Sequence, residues 1–383
     1  MLSTIGNQPQ VPRKMIPQIQ PWIDEQEQDE VMRVMRSTYL TEGQVTKEFE
    51  IGLTTLTGAK HAIAVCNGTA ALYCILKALG IGPEDEVLVP DMTFIASSNA
   101  VVMAGAKPVF APVLTDTLDF DMGQLSSLVN TCTKAIMAVH LYGHSADMDA
   151  ISQFAVQFGL KVIEDAAQAI GVKFKGQHVG CYGEAGAISF YGNKTITCGE
   201  GGVILTNNDQ VADVCRQLKN HGRTQRGTFI HEHIGFNFSW TEMQAAVGIA
   251  QLRKLPAIIQ RKQEIYDKYT EAFADISQLK TLPFDPRCNP VHWFTSFYAE
   301  RRAELADYLT SNGIQTRIFF CPLHLQPCYA GWADEKVDYS ASVEAYANGI
   351  SLPSSFILRD NELKFIIGKI RDFYFNAEPS DNA

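Results

Sequence analysis

The chain has 383 residues, enough for more than one domain, and its 46% hydrophobic and 19% charged residues are ordinary for a globular protein with a large core. Lys and Arg number 32 against 42 Asp and Glu; the net charge of -10 supplies no basic field for nucleic acid or an anionic membrane surface. The N-terminal stretch MLSTIGNQPQVPRKMIPQ has no apolar signal core and no apolar run reaches about eighteen residues, so a cytoplasmic protein without a membrane span is expected. Nine cysteines, an odd number without a Cys-x-x-Cys pair, fit reduced thiols in a reducing compartment. His140 and His144 lie in HLYGH, where Gly143 argues for a loop, and His231 and His233 have no third ligand near them in sequence, so no metal site is expected.

In chain order, the arm up to Pro21 carries Pro9, Pro12, Pro17 and Pro21, which forbid a continuous helix. Apolar spacing predicts a helix over Asp24–Arg36 and a second from Val45 to Leu56. From His61 the pattern alternates between apolar strand and amphipathic helix. Strands are predicted at Ala62–Val65, Glu86–Val89, Pro108–Ala111, Ala135–Val139, Lys161–Glu164, Ala187–Phe190 and Val203–Thr206, several as the continuous apolar runs of a sheet covered on both faces. Helices are predicted between them at Thr69–Leu79, Phe94–Ala104, Asp121–Val129, Asp147–Phe158 and Asp209–Leu218. This is an α/β domain with a mostly parallel central sheet.

A helix over Thr241–Leu255 is predicted to stop at Pro256, with a long linking helix following over Ala257–Phe273. Beyond it, strands at Trp293–Ala299 and Ile314–Ile318 and helices at Arg302–Ser311, Tyr339–Asn348 and Asn361–Phe375 indicate a smaller α+β domain. The expected division is 1–255 and 256–383, with the final EPSDNA as a frayed tail.

Four features carry candidate chemistry. Lys194 lies in SFYGNKTITCGEGG, in a polar turn between two apolar strands, with Gly192, Gly199, Gly201 and Gly202 allowing close approach of backbone to a flat ligand. A solvated turn lysine needs no function, whereas a desolvated one forms a Schiff base with a carbonyl. Asn67-Gly68-Thr69-Ala70 joins a strand to a helix and makes either an ordinary cap, with Thr69 as the N-cap, or an anion site for a phosphate, which Ser189 would also meet. Asp165 ends the strand of VIEDAAQAIG, with Gln168 three residues on; it serves either as a helix cap or as a carboxylate that keeps a heteroaromatic ring nitrogen protonated. Phe94 is either a core aromatic or a ring that stacks on a flat ligand.

Taken together, TYLTEGQVTKEFE, CNGTAAL, VPDMTFIASSNAV, VHLYGHSADMD, VIEDAAQAIG, SFYGNKTITCGEGG, GFNFSWTEMQAAVG and TRIFFCPLHLQPCY resemble, in order and spacing, the DegT/DnrJ/StrS-type sugar aminotransferases. These are pyridoxal 5′-phosphate (PLP) enzymes of fold type I, the aspartate aminotransferase fold. The resemblance implies that Lys194 forms the Schiff base with the cofactor and Asp165 pairs with its pyridine nitrogen. It further implies that Gln168 lies near the ring oxygen, that Phe94 stacks on the ring, and that Gly68, Thr69, Ala70 and Ser189 hold the phosphate. Asn237 of GFNFSW matches a residue that reaches the phosphate from a second subunit, implying a homodimer with shared active sites, and His324 falls where the family contacts the sugar.

Ser239, Trp240 and Ser145 depart from the family's usual residues and put substrate contacts and loop shape in doubt, not the cofactor chemistry. A related dehydratase branch has histidine in place of the Schiff-base lysine, so Lys194 argues against it. SFYGNKTITCGEGG and the TRIFF and PLHLQP segments are most similar to the branch that makes GDP-perosamine. That similarity implies L-glutamate as amino donor and GDP-4-keto-6-deoxymannose as acceptor, for a deoxyamino sugar of a surface polysaccharide. The alternatives are another nucleotide-linked 3- or 4-keto sugar or a keto-cyclitol, and, outside catalysis, a PLP-binding regulatory protein.

Overall fold

The computed structural model describes residues 15–224, 227 and 229–375. Helices α1 (Glu25–Ser37) and α2 (Gln44–Thr57) lead into β1 (His61–Val65), α3 (Gly68–Ala78), β2 (Glu86–Pro90), α4 (Ala96–Met103) and β3 (Lys107–Ala111). Next come α5 (Met122–Leu125), β4 (Thr133–Val139), α6 (Met148–Phe158) and β5 (Lys161–Asp165). The short β6 (Lys173–Phe174) and β7 (Gln177–His178) separate these from β8 (Ala185–Ser189), β9 (Gly202–Thr206) and α7 (Asp209–Leu218). After α8 (Glu242–Ala272) follow β10 (Leu279–Thr281), β11 (Cys288–Asn289), β12 (Thr295–Ala299), α9 (Arg302–Ser311) and β13 (Arg317–Ile318). The last elements are α10 (Ser340–Asn348), β14 (Gly349–Leu352) and α11 (Asp360–Phe375).

All seven strands predicted for the large domain pair into one sheet of order β1-β9-β8-β5-β4-β2-β3, in which only β9 runs against the others. Successive side chains point to opposite faces, and both faces are dry. Ala62 and Ala64 of β1 enter one core layer while Ile63 and Val65 enter the other, and β2 divides Leu88 from Val87 and Val89 in the same way. One layer is closed by Phe49 and Leu53 of α2, Ile151 and Phe154 of α6, and Leu255 of α8. Leu72 and Leu76 of α3, Val101 of α4 and Cys215 of α7 close the other. Each large apolar side chain buried this way contributes about 1.5–3 kcal/mol.

This topology gathers the carboxyl ends of β1, β2, β4, β5 and β8 at one edge, together with the amino end of the antiparallel β9. Ligand groups of an open α/β sheet belong at that edge. Close packing there demands glycine at 202, where a Cβ would lie 2.3 Å from the Asn67 carbonyl oxygen.

The structure corrects the expected break at Pro256, because α8 is one helix of 31 residues with Pro256 inside it. A proline forfeits one helical hydrogen bond and costs about 3 kcal/mol, which packing on both sides outweighs. Leu255 and Ile258 lie in the core of the large domain, whereas Ile265 and Tyr269 lie in a second core with α9, α11 and a four-stranded antiparallel sheet of order β10-β12-β14-β13. The expected division at 255/256 therefore falls within a continuous element. Strand β14, absent from the sequence expectations, pairs with both β12 and β13.

Smaller differences concern element ends. The helix expected over Asp121–Val129 shrinks to α5 and a single 3-10 turn, Ser126–Leu128. Asn67, not Thr69, is the N-cap of α3, its side chain accepting from the Ala70 N–H at 2.8 Å. Phe94 precedes α4 instead of opening it. In the described part of the N-terminal arm Ile16 bridges to Ile314, while residues 1–14 and the EPSDNA tail lie outside the described residues. No helix among the described residues is long and apolar enough to cross a membrane.

Glu242, the first residue of α8, ties this helix to α2. Gly43 caps α2 without a side chain, and the buried Glu242 carboxylate supplies what is missing. It accepts from the N–H groups of Gly43, Val45 and Thr46 at 2.8 Å each and from the Thr46 hydroxyl at 2.7 Å. Burial raises its pKa, but these donors more than offset that and hold it below the ordinary carboxylate value. Glu242→Gln is expected to lower unfolding stability in urea by about 2 kcal/mol at neutral pH, since hydrogen bonds to a charged group are at stake. Because the native pKa is depressed, the difference between wild type and variant should be full above the unfolded carboxyl pKa and fade as pH falls through the native one.

Candidate active site

A cavity of ≈ 730 Å³ opens at the sheet edge where the carboxyl ends converge. Its walls carry Gly68, Thr69 and Ala70 after β1, Phe94 after β2, Asp165 and Gln168 at the end of β5, Ser189 at the end of β8, and Lys194. Eight of the ten residues singled out from the sequence thus meet in one space. Asn237 and His324 are not among its lining residues. Asn237 is exposed and bridges to Asn220. His324 pairs through Nδ1 with Asp91 Oδ2 at 2.7 Å and stacks on Tyr339, with 4.5 Å between ring centroids.

Lys194 rides on a turn pinned at several points. The Phe190 carbonyl accepts from the Cys198 N–H at 2.9 Å and the Thr197 hydroxyl at 3.0 Å, and the Lys194 N–H donates to the Tyr191 carbonyl at 2.9 Å. Beneath the ε-amine lies Trp293, 4.1 Å from Nζ to the ring centroid, whose indole N–H donates to the Asn193 carbonyl at 2.7 Å. Burial pulls the Lys194 pKa down to about 8, against the pull of Asp165, which favours the cation, and with a further push from Arg317. Near neutral pH this amine is far more available than an ordinary lysine.

Asp165 is buried and accepts from the Ser97 hydroxyl at 2.7 Å and, through its other oxygen, from the Ala167 N–H at 3.1 Å. No helix follows it, so it is not a helix cap. Gln168 is oriented by the Tyr142 N–H, which donates to Oε1 at 2.8 Å. In the anion cradle, the Ala70 N–H already serves the Asn67 cap, and the N–H groups of Gly68 and Thr69 have no intrahelical acceptor. Ser189 stands so close that a Cβ on Gly68 would lie 3.2 Å from its Cβ.

Sequence reasoning missed Trp293, Arg317 and Phe320, which wall the cavity from the C-terminal part of the chain. They stand more than about a hundred residues beyond most of the motifs, and only the matched TRIFF segment signalled two of them. Of the departures, Trp240 is a core residue, its ring edge-on to Phe49 at 5.2 Å, and a Cβ on Gly201 would meet that ring at 3.0 Å. Ser145 is buried and donates to the Ala146 carbonyl, and Ser239 donates to the Lys219 carbonyl. Among the described residues no three His, Cys, Asp or Glu side chains are placed to hold a metal ion.

A family model matches residues 21–371, that of the DegT/DnrJ/EryC1/StrS aminotransferase family. The chain belongs to this family. It is 37% identical over 366 residues to GDP-perosamine synthase of Escherichia coli O157:H7, covering 94% of this chain and 99% of the relative. Among solved structures, DesV of S. venezuelae in complex with a ketimine intermediate superposes with a TM-score of 0.90 at 31% identity, covering 96% and 100% of the two chains. The PLP form of Streptococcus pneumoniae Spr1654 gives 0.87 at 28% identity, with 92% and 97% covered. The fold is PLP fold type I, and the protein is a sugar aminotransferase with pyridoxal phosphate as cofactor.

The residues present fit that group. A helix N-terminus with free N–H groups beside a serine hydroxyl suits a phosphate, and a buried carboxylate and an amine of lowered pKa lie in the same cavity. Gly68→Ala would crowd the cradle at Ser189. It is expected to weaken retention of pyridoxal phosphate about tenfold in equilibrium dialysis with little change in Tm.

Proposed function

We propose that this sugar aminotransferase moves the amino group of L-glutamate to GDP-4-keto-6-deoxymannose, supplying a deoxyamino sugar for a surface polysaccharide. The observation that carries the acceptor is the nearly full-length likeness to GDP-perosamine synthase. Lys194 is the residue that binds the cofactor covalently, and Asp165 is the partner of its ring nitrogen. Gly68, Thr69 and Ser189 hold the phosphate, Ala70 lines that cradle, Phe94 covers one ring face, and Gln168 meets the ring oxygen.

When bound there, pyridoxal phosphate supplies an aldehyde that takes up the amine and a ring that withdraws electrons from the reacting carbon. The chain's own residues do the rest. Lys194 Nζ, with a pKa pulled down to about 8, takes a proton from the glutamate carbon that gives up the amine and, in the second half-reaction, delivers one to the sugar carbon that receives it. The Asp165 carboxylate keeps a proton on the ring nitrogen, and Ser97 keeps that carboxylate in place. Trp293 and Phe320 complete the cavity wall from the C-terminal part of the chain.

The enzyme works in the cytoplasm as a homodimer with shared sites. Phe229, Ile230 and Ile234 are 82%, 69% and 90% exposed, an apolar surface beside Asn237 that a second copy would cover. Asn237 then reaches the partner's phosphate site, and His324, oriented by the buried Asp91, contacts the sugar.

Purified enzyme should show the absorbance of lysine-bound cofactor, lose it on addition of glutamate, and regain it with GDP-4-keto-6-deoxymannose. Restoration by dTDP- or UDP-linked keto sugars instead would overturn the acceptor, and a spectrum that glutamate leaves unchanged would overturn the donor. Lys194→Ala is expected to abolish turnover while still binding the cofactor without a covalent bond; undiminished turnover would sink its assignment.

A further inference from the structure

Trp293 arrives from the segment ahead of β12, far in sequence from the turn that carries Lys194, and is 2% exposed. It is fixed on every side. Its ring stacks on Phe294 at 3.8 Å, and its backbone carbonyl accepts from the Lys262 ammonium at 2.9 Å, which also reaches the Ser354 carbonyl at 3.0 Å. From this braced position it touches the reactive turn twice, once through the indole N–H on the Asn193 carbonyl and once through the ring face under Lys194 Nζ.

We propose that Trp293 is the positioning residue for the free ε-amine of Lys194, holding it over the indole face whenever it is not joined to the cofactor. The proposal rests on the reading of Lys194 as the reactive amine. An ammonium over an indole face is stabilised by the ring quadrupole, and a neutral amine gains much less. The ring therefore opposes the burial that drives Lys194 toward its neutral form. The other charged groups facing the amine are Asp165, which favours its cation, and Arg317, which disfavours it; Glu200 also stands on the cavity wall. None of them fixes a direction for Nζ by a hydrogen bond or ion pair among the described residues, so the indole is what gives the amine a defined resting place.

The test uses the cofactor-free full chain and the pH dependence of Lys194 carbamylation by cyanate, read by peptide mass spectrometry. Only the neutral amine reacts. Trp293→Leu removes ring face and N–H together and should lower the apparent Lys194 pKa by about one unit, whereas Trp293→Phe keeps a face and should lower it by less. Trp293→Phe, which loses the indole N–H, should also speed amide hydrogen exchange in the Asn193–Lys194 turn, and this readout stands even if the leucine variant does not fold. An unmoved titration in both variants would overturn the proposal. So would a raised pKa, since the ring would then act only by excluding water. Turnover retained by Lys194→Ala would overturn the underlying reading instead, a result that no behaviour of the Trp293 variants can imitate.

Discussion

An ε-amine exchanges protons near neutral pH when water is kept from its cation, and that condition is met at Lys194, the amine proposed to react. The large sheet brings the amine to its carboxyl edge but cannot cover it. The rest of the cavity wall comes from Trp293, Arg317 and Phe320, which belong to the C-terminal part of the chain. The two parts must then keep register, and α8 is the element that spans both. It is one rigid rod whose first half lies in the core of the large sheet and whose second half lies in the core of the smaller one. A break at Pro256 would have placed a hinge between the lysine and the far wall of its cavity.

Two neighbouring carboxylates on β5 show how a strand divides structural from chemical work. Glu164 points away from the cavity and is consumed, accepting from the N–H groups of Gly180, Tyr182 and Gly183 and pairing with His140. Burial raises its pKa, but His140 and those N–H groups hold it below the ordinary value, so it remains a fixed anion that anchors the loop before β8. Asp165, one residue on, faces the cavity, and its carboxylate accepts from Ser97 and Ala167. The period of two makes this separation automatic: adjacent acids at a strand end cannot both enter the same site.

Much of the large domain was legible because its strands are covered on both faces, and burial on both faces leaves short, nearly continuous apolar runs with small residues at the turns. Helix ends were less legible. Asn67 displaced Thr69 as the cap of α3, and such choices depend on which side chain the preceding strand aims at the free N–H groups. Pro256 misled because its local cost is real and only contacts distant in sequence exceed it. Strand β14 escaped notice because its four residues acquire strand character from β12 and β13 on either side. The residues that wall the cavity at the sheet edge followed from strand-end positions and motif order, whereas Trp293 and Arg317 enter it from segments whose placement over the sheet no local pattern encodes.

Lys262 sharpens what singles out Lys194 as the amine proposed to react. Burial pulls its pKa down to about 7, further than that of Lys194, so a perturbed pKa by itself would favour Lys262. Its surroundings are the opposite of a site. It lines no part of the cavity, and its ammonium is occupied by the carbonyls of Trp293 and Ser354. Lys194 instead faces open volume, with a carboxylate on the same wall and an anion cradle across the space. Two desolvated lysines therefore serve one site in different ways. One faces the cavity, and the other, by holding the backbone of Trp293, braces the ring over which the first one lies.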